Sequence, residues 1–305
     1  MLGTAATGYR TATEMTVRTG SAIFSGLLGA GQQQLSGTTG EGRRPLAYLW
    51  TRTVRCPNPA LSEHRVPLVR QTWLARKKGR YIALRTVVDR PTLSVGYEVV
   101  EAPSPEGLGF DPAAGSSRGQ TTCPVCGATV TAEYVKKEGV AGRLGLVPLA
   151  AVILKASGRG REYLPAGSYA LPDDVECNRR LAKLDIEPPH ELLPADDTRW
   201  FSTPQFGLLR YSDLFTPRQL LTLCTLAAGI RVVYGEMIAS NVEARRVAAI
   251  ATCLGITLNR LADRGSTLCR WDVGNETAMN TFARQLGFRT FAGGGRSAEV
   301  TGLPG

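Results

Sequence analysis

The chain has 305 residues, of which 43% are hydrophobic, so it is long enough to bury one or two cores. Its net charge of +10 favours nucleic acid or another polyanion as a partner. Seven cysteines in a chain of this length exclude a disulfide scaffold and indicate a reducing cytoplasm, and no run approaches the roughly 20 apolar residues of a membrane span.

The N-terminal half is predicted to be rich in β-structure. Residues 1–42 are rich in glycine and threonine and predict a disordered segment. Residues 43–165 form a β-rich module, because short aromatic and β-branched runs alternate with turn residues. Strands are predicted at 47–54, 66–73, 81–88, 93–100, 146–155 and 162–164, with a turn at 77–80 and a short helix from 132 to 138. Residues 166–212 are rich in proline and aspartate and predict an irregular linker.

The C-terminal third is predicted to be helical over residues 213–286. Thr216 is a good N-cap, and the proline that follows it suits the first helical position. Asn241 predicts the cap of a second helix, and a third, shorter helix is expected to begin near Glu276. A glycine-rich tail then covers residues 287–305. The expected fold is α+β, with a small zinc-ribbon-like module followed by a helical hairpin or three-helix unit.

The hexapeptide TCPVCG at residues 122–127 carries the clearest chemical signal. Two cysteines two residues apart, with a glycine directly after them, form a tight turn that presents both thiolates to one tetrahedral metal ion. This pattern is one half of a zinc ribbon, so a second half is expected elsewhere in the chain.

Seven segments in order resemble one family. They are RPLAYLW (44–50), RCPNPA (55–60), VPLV (66–69), TCPVCG (122–127), DLFTPRQL (213–220), STLCRW (266–271) and NTFARQ (280–285). The chain from about 43 to 285 thus resembles the central segment of the bacterial and archaeal adenine-specific DNA methylases that contain a zinc ribbon. Each motif alone is weak, whereas the ordered set is specific.

The resemblance implies a fragment that lacks the catalytic parts. Such methylases transfer a methyl group from S-adenosylmethionine to adenine N6, using a glycine loop for the cofactor and an Asp-Pro-Pro-Tyr-like tetrapeptide for the flipped base. In this chain, FAGGG at 291–295 lacks the preceding Asp-Pro, and EPPH at 187–190 has Glu for Asp and His for Tyr. S-adenosylmethionine is therefore expected only in the intact family enzyme, and no catalytic residue is predicted here.

The predicted metal ligands are Cys56, His64, Cys123 and Cys126, around one structural zinc. The resemblance places a second cysteine of the first knuckle at position 61, where this chain has leucine, and His64 is a normal zinc donor three residues further on. Two alternatives remain open: a site of three cysteines, and no metal at all.

A basic segment is the candidate DNA-binding surface. Between residues 43 and 90 there are twelve Lys and Arg against two acids, which matches the whole net charge. Arg76, Lys77, Lys78 and Arg80, flanked by aromatic residues, suit a hairpin that contacts phosphates. The alternative is a solvated turn that keeps an edge strand soluble.

The expected function is therefore a DNA-recognition or structural insertion of an adenine-specific DNA methyltransferase, located in the cytoplasm and inactive alone. A protein–protein module that complements separate methylase chains is the alternative from another class. A non-functional remnant is the third.

Overall fold

The computed structural model describes residues 43, 45–114, 116–117, 120–171, 173–195, 202–282 and 297–300. Over these residues the protein has an α+β fold, as predicted. The segment 1–42, predicted to be disordered, lies outside the described residues, as does most of the predicted glycine-rich tail.

The described chain contains thirteen strands, four α-helices and four 3₁₀ turns. The strands are β1 (Ala47–Arg55), β2 (Arg65–Pro67), β3 (Trp73–Lys77), β4 (Arg80–Asp89), β5 (Ser94–Ala102), β6 (Ser116–Ser117), β7 (Gln120–Thr122), β8 (Thr129–Val130), β9 (Gly145–Leu154), β10 (Arg161–Pro165), β11 (Trp271–Asp272), β12 (Thr277–Ala278) and β13 (Ser297–Val300). The α-helices are α1 (Ala132–Val140), α2 (Asp174–Leu181), α3 (Pro217–Ala239) and α4 (Ala244–Arg264), and single 3₁₀ turns lie at Pro59–Leu61, Glu106–Leu108, Thr203–Phe206 and Tyr211–Leu214.

The main sheet is antiparallel, with strand order β10-β9-β1-β13, and β2 pairs with the last residues of β1. Strand β1 is buried along seven of its nine residues, because apolar clusters cover both of its faces. Leu49 lies in the larger cluster, while Tyr48 and Trp50 pack with Tyr169 on the opposite face.

Strands β3, β4 and β5 form a second antiparallel sheet that packs on the larger cluster through Leu74, Ile82 and Leu84. The β3–β4 hairpin turns over a two-residue loop, in which Gly79 has φ +75°. The predicted turn at 77–80 is therefore confirmed. The predicted strand 66–73 is wrong as one element, because β2 ends at Pro67 and β3 begins at Trp73.

The two long helices follow the cap prediction in part. Thr216 Oγ1 accepts the N–H of Gln219, and the Gln219 side chain accepts the N–H of Thr216, so α3 begins with a complete capping box. Asn241, predicted to cap the next helix, instead has φ +53° in the connection, and α4 begins at Ala244.

Two further predictions from the sequence are wrong. Where a third helix was expected to begin, near Glu276, the chain forms a β-hairpin in which β12 pairs with β11. The linker 166–212 is not wholly irregular, because it contains α2 and two 3₁₀ turns. Within the predicted glycine-rich tail, β13 pairs with β1.

Contacts cross the predicted boundary between the β-rich module and the helical unit. The Trp271 indole N–H donates to the carbonyl of Leu74 at 2.8 Å, and its ring meets Tyr163 edge-on at 6.4 Å. Segment 271–278 therefore belongs to the same core as the strands that precede it.

Helix α3 is long and apolar enough to cross a membrane by length and composition, with 28% of its most apolar window buried. Core helices pass the same test, and Arg218 and Gln219 in its first turn are buried against the rest of the fold. The expectation of no membrane partner stays a prediction.

Candidate metal centre

The predicted knuckle forms the tip of the β7–β8 hairpin. The N–H of Cys123 donates to the carbonyl of Ala128 at 2.8 Å, and the N–H of Gly127 donates back to the carbonyl of Cys123 at 2.9 Å. Gly127 has φ +76°, a conformation that residues with a side chain rarely adopt. The turn therefore needs the glycine that follows Cys126 in the sequence.

The second half of the centre is the loop that joins β1 to β2. Cys56 follows directly after β1, and its N–H donates to the carbonyl of His64 at 2.8 Å. The Asn58 side chain accepts the N–H of Ala60 at 3.0 Å, which fixes the 3₁₀ turn at Pro59–Leu61. This hairpin holds Cys56 against the other knuckle, 70 residues later in the chain.

The structure brings three of the four predicted ligands together. The Sγ atoms of Cys56, Cys123 and Cys126 all lie within 4.8 Å of one another, and those of Cys56 and Cys126 are 3.6 Å apart. Thiolates bound to one tetrahedral zinc at about 2.3 Å stand roughly 3.8 Å apart, so this spacing suits a shared ion. The three cysteines could hold a metal ion, and sulfur donors favour soft or borderline metals such as zinc.

The environment differs between the three thiols. Cys56 and Cys123 are buried, and Cys126 is exposed. Burial raises the pKa of Cys56 to about 12, whereas the N–H of Ala128, donated to the Cys126 sulfur, lowers the pKa of that thiol. A metal bound at Cys56 would therefore displace a proton from this thiol.

His64 does not join the cysteines, so its prediction as fourth ligand is not supported by the geometry. Within the described ranges, the group of potential metal ligands consists of the three cysteines and includes no histidine or acidic residue. The His64 side chain is buried, its Nε2 has no hydrogen-bond partner among the described residues, and it lines a cleft of about 370 Å³ with Tyr97 and Thr53. Leu61 packs on the apolar cluster that contains Cys56 and Cys123.

Helix α1 packs against the apolar cluster that contains Cys56 and Cys123. Its N-cap Thr131 accepts the N–H of Tyr134, whose hydroxyl donates to the carbonyl of Arg55 at 3.3 Å, next to Cys56. At the far end of the helix, a Cβ on Gly139 would lie 2.4 Å from the carbonyl oxygen of Phe206. Helix α1 therefore packs closely between the cluster of Cys56 and Cys123 and the segment around Phe206. No local sequence pattern predicts this contact.

The predicted DNA-binding cations divide into two pairs. Lys77 Nζ lies 2.5 Å from Glu276 Oε1, and Arg80 contacts the same carboxylate at 3.1 Å. Arg76 is exposed and lies over the Trp73 ring at 4.9 Å, and Lys78 is exposed at the hairpin tip. Two of the four predicted cations thus neutralise an internal acid, which sequence reasoning missed.

Glu276 is the buried centre of this network, with its side chain 2% exposed. The Tyr163 hydroxyl donates to its second carboxylate oxygen at 2.8 Å. Burial pushes the pKa of Glu276 up, but hydrogen bonds from Lys77, Tyr163 and Arg80 outweigh burial and hold this pKa below its usual value. The positive φ of 52° at Glu276 belongs to the turn that aims the carboxylate into the fold.

A second cationic hairpin tip lies beside the first. The Arg80 guanidinium donates to the carbonyl of Arg161 at 2.6 Å, which brings the β9–β10 loop against the β3–β4 loop. Lys155 and Arg159 in that loop are exposed, and neither forms a salt bridge among the described residues. These two cations were not singled out from the sequence, because they lie some 75 residues after the basic segment.

The structure gives no support for a catalytic role of the two segments that partly match the methylase motifs, EPPH at 187–190 and FAGGG at 291–295. His190 Nε2 lies 3.1 Å from Glu187, and both side chains are largely exposed. The glycine run 291–295 lies outside the described residues.

Comparisons with known proteins give no relative. No family model, curated protein or solved structure matches the chain. The resemblance to the adenine-specific DNA methylases therefore rests on the ordered motifs alone.

Proposed function

We propose that this protein is a metal-stabilised DNA-recognition module of the kind inserted in adenine-specific DNA methylases, and that it does not methylate DNA by itself. The observation that carries the proposal is the meeting of Cys56 with Cys123 and Cys126, since these positions belong to two separate motifs of the resemblance. The proposal places the protein in the cytoplasm, where the cysteines stay reduced.

The metal, proposed to be zinc, has a structural role. Its three candidate ligands sit on two hairpin loops and pack against one apolar cluster, so the ion would fix one loop on the other. No general base lies among the described ligating groups, which supports a structural over a catalytic ion.

The proposed DNA contacts are the exposed cations of the two neighbouring hairpin tips. Arg76 and Lys78 belong to the first tip, and Lys155 and Arg159 to the second. Cations that do not compensate an internal acid are available to neutralise phosphates, each releasing a counterion from DNA. Lys77 and Arg80 contribute positive potential, but their geometry is set by Glu276.

Salt dependence of DNA binding tests the proposal. Duplex DNA affinity of the full chain is measured by fluorescence anisotropy over a range of salt concentrations. Lys78→Ala and Arg159→Ala should each weaken binding and reduce the slope of log affinity against log salt by about 1. Lys183→Ala, an exposed cation after α2, is the matched control and should leave the slope unchanged.

Two results would refute this function. Equal slopes for the parent, Lys78→Ala and Arg159→Ala would remove the hairpin tips from the DNA interface. Transfer of a labelled methyl group from S-adenosylmethionine to DNA by the purified chain would show that it is an enzyme in its own right.

A specific observation favours the second candidate, a protein–protein module that complements separate methylase chains. The far end of the α3–α4 hairpin exposes Val232 (60%), Tyr234 (46%) and Ile238 (47%). Exposed apolar side chains grouped on one helix end are typical of interaction surfaces. Binding of a methylase chain through this end would persist at high salt, whereas phosphate binding would not.

A further inference from the structure

The donor set of the metal centre is incomplete for a closed structural zinc site. Such sites use four protein ligands. The described part of this chain brings three sulfur atoms together, and no histidine, further cysteine or acidic residue joins them as a fourth ligand. Position 61, in the same loop as Cys56, holds a leucine that packs on the cluster of Cys56 and Cys123. The nearest histidine in sequence, His64, lies outside the group.

The burial of the three sulfurs shows from which side a fourth ligand can approach. Cys56 is 4% exposed and Cys123 1% exposed, so apolar packing closes the centre on their side. Cys126 is exposed at the tip of the β7–β8 hairpin. A metal held by all three sulfurs therefore meets solvent on the side of Cys126.

We propose that a metal ion held by Cys56, Cys123 and Cys126 takes its fourth ligand from outside the chain, in an exchangeable position that accepts a thiolate. This inference rests on metal binding as proposed above. A thiolate suits the position because three sulfur donors already select a soft or borderline ion. The source is either a small thiol or a cysteine of another protein chain, and both offer the same donor.

Cobalt substitution tests the fourth position directly. Co²⁺ is added to the reduced, metal-free full chain, and its sulfur-to-cobalt charge-transfer and d–d bands are recorded. β-Mercaptoethanol is then titrated into the complex. We expect the charge-transfer band to grow by about a third, as three sulfur ligands become four, and the d–d bands to shift in a saturable manner.

Two variants serve as controls. Leu61→Cys places a fourth thiol in the loop of Cys56, so its cobalt complex should form at least roughly tenfold more tightly and no longer respond to the added thiol. His64→Ala should leave the cobalt spectrum unchanged, because the imidazole is not a ligand. X-ray absorption of the zinc-loaded parent should show three sulfurs near 2.3 Å and one lighter atom near 2.0 Å, independently of any variant.

The outcomes separate this inference from the metal proposal itself. Absence of charge-transfer bands in the parent would overturn both. Bands that do not respond to the thiol, or a spectrum lost in His64→Ala, would overturn the exchangeable position while leaving the metal centre intact. If the four-sulfur bands also appear without added thiol when the concentration of the parent protein is raised, and sedimentation changes with them, the donor is a cysteine of a second chain. If the bands appear only with added thiol, the small thiol is the ligand.

Discussion

Replacing Glu276 by glutamine removes the negative charge at the centre of the network that joins β3, β4 and β10 to the β11–β12 turn. The carboxylate is 2% exposed and accepts hydrogen bonds from Lys77, Arg80 and Tyr163. Breaking a buried ion pair from one side costs about 3–5 kcal/mol. Because the side chains of Lys77 and Arg80 are 46% and 21% exposed, water can hydrate both after the change. We therefore expect Glu276→Gln to lower the free energy of unfolding by about 2–3 kcal/mol.

The assay is urea denaturation followed by tryptophan fluorescence, to which Trp271 contributes from the same core, where its ring packs against Tyr163. The matched control is Glu101→Gln, because Glu101 pairs with the same Arg80 at 3.3 Å but is 54% exposed. A surface pair of this kind contributes below about 1 kcal/mol. If the free energies of unfolding of both variants lie within about 0.5 kcal/mol of the parent value, the argument that burial strengthens the contribution of Glu276 is refuted.

Three further predictions concern the protonation of Glu276 and the packing of two helical glycines. Since the pKa of Glu276 in the folded protein lies below its usual value of 4.5, its stabilisation is present above pH 4.5 and is lost as the pH falls through the lower folded value. The difference in unfolding free energy between parent and Glu276→Gln should thus shrink on acidification, and a constant difference would contradict this. Gly139→Ala places a Cβ 2.4 Å from the Phe206 carbonyl and should destabilise the protein by about 1–3 kcal/mol. Gly235→Ala in α3 meets no atom within 4 Å and should stabilise it by up to about 1 kcal/mol, so thermal midpoints moving in the same direction would count against this packing.

Local patterns were sufficient where the physical cause is local. The cap of α3 was predicted because Thr216 and the proline after it act within one turn, and the β3–β4 turn because its glycine sits between two strand-like runs. The helix expected from Glu276 failed for the opposite reason. Glu276 is held by Lys77, 199 residues earlier, and no window of sequence contains both partners.

The candidate site shows the same division. Spacing and the adjacent glycine identified Cys123 and Cys126, since one tight turn determines where both sulfurs point. Cys56 was paired with them correctly through the ordered motifs. Sequence proximity to Cys56 suggested His64, but it does not show on which side of the β1–β2 loop the imidazole packs, and the structure leaves His64 outside the cysteine group.

The meeting of Cys56 with Cys126 also has a consequence for chain entropy. A metal that joins these residues closes a loop of 70 residues, and a link of that length restricts the unfolded chain by about 4 kcal/mol. The β3–β5 sheet lies entirely inside this loop and is built from adjacent hairpins, so its own closure requires only short segments. A metal bound by these cysteines would therefore link the two knuckles around a sheet that forms by local contacts. Its removal would release the knuckles from each other before the strands between them.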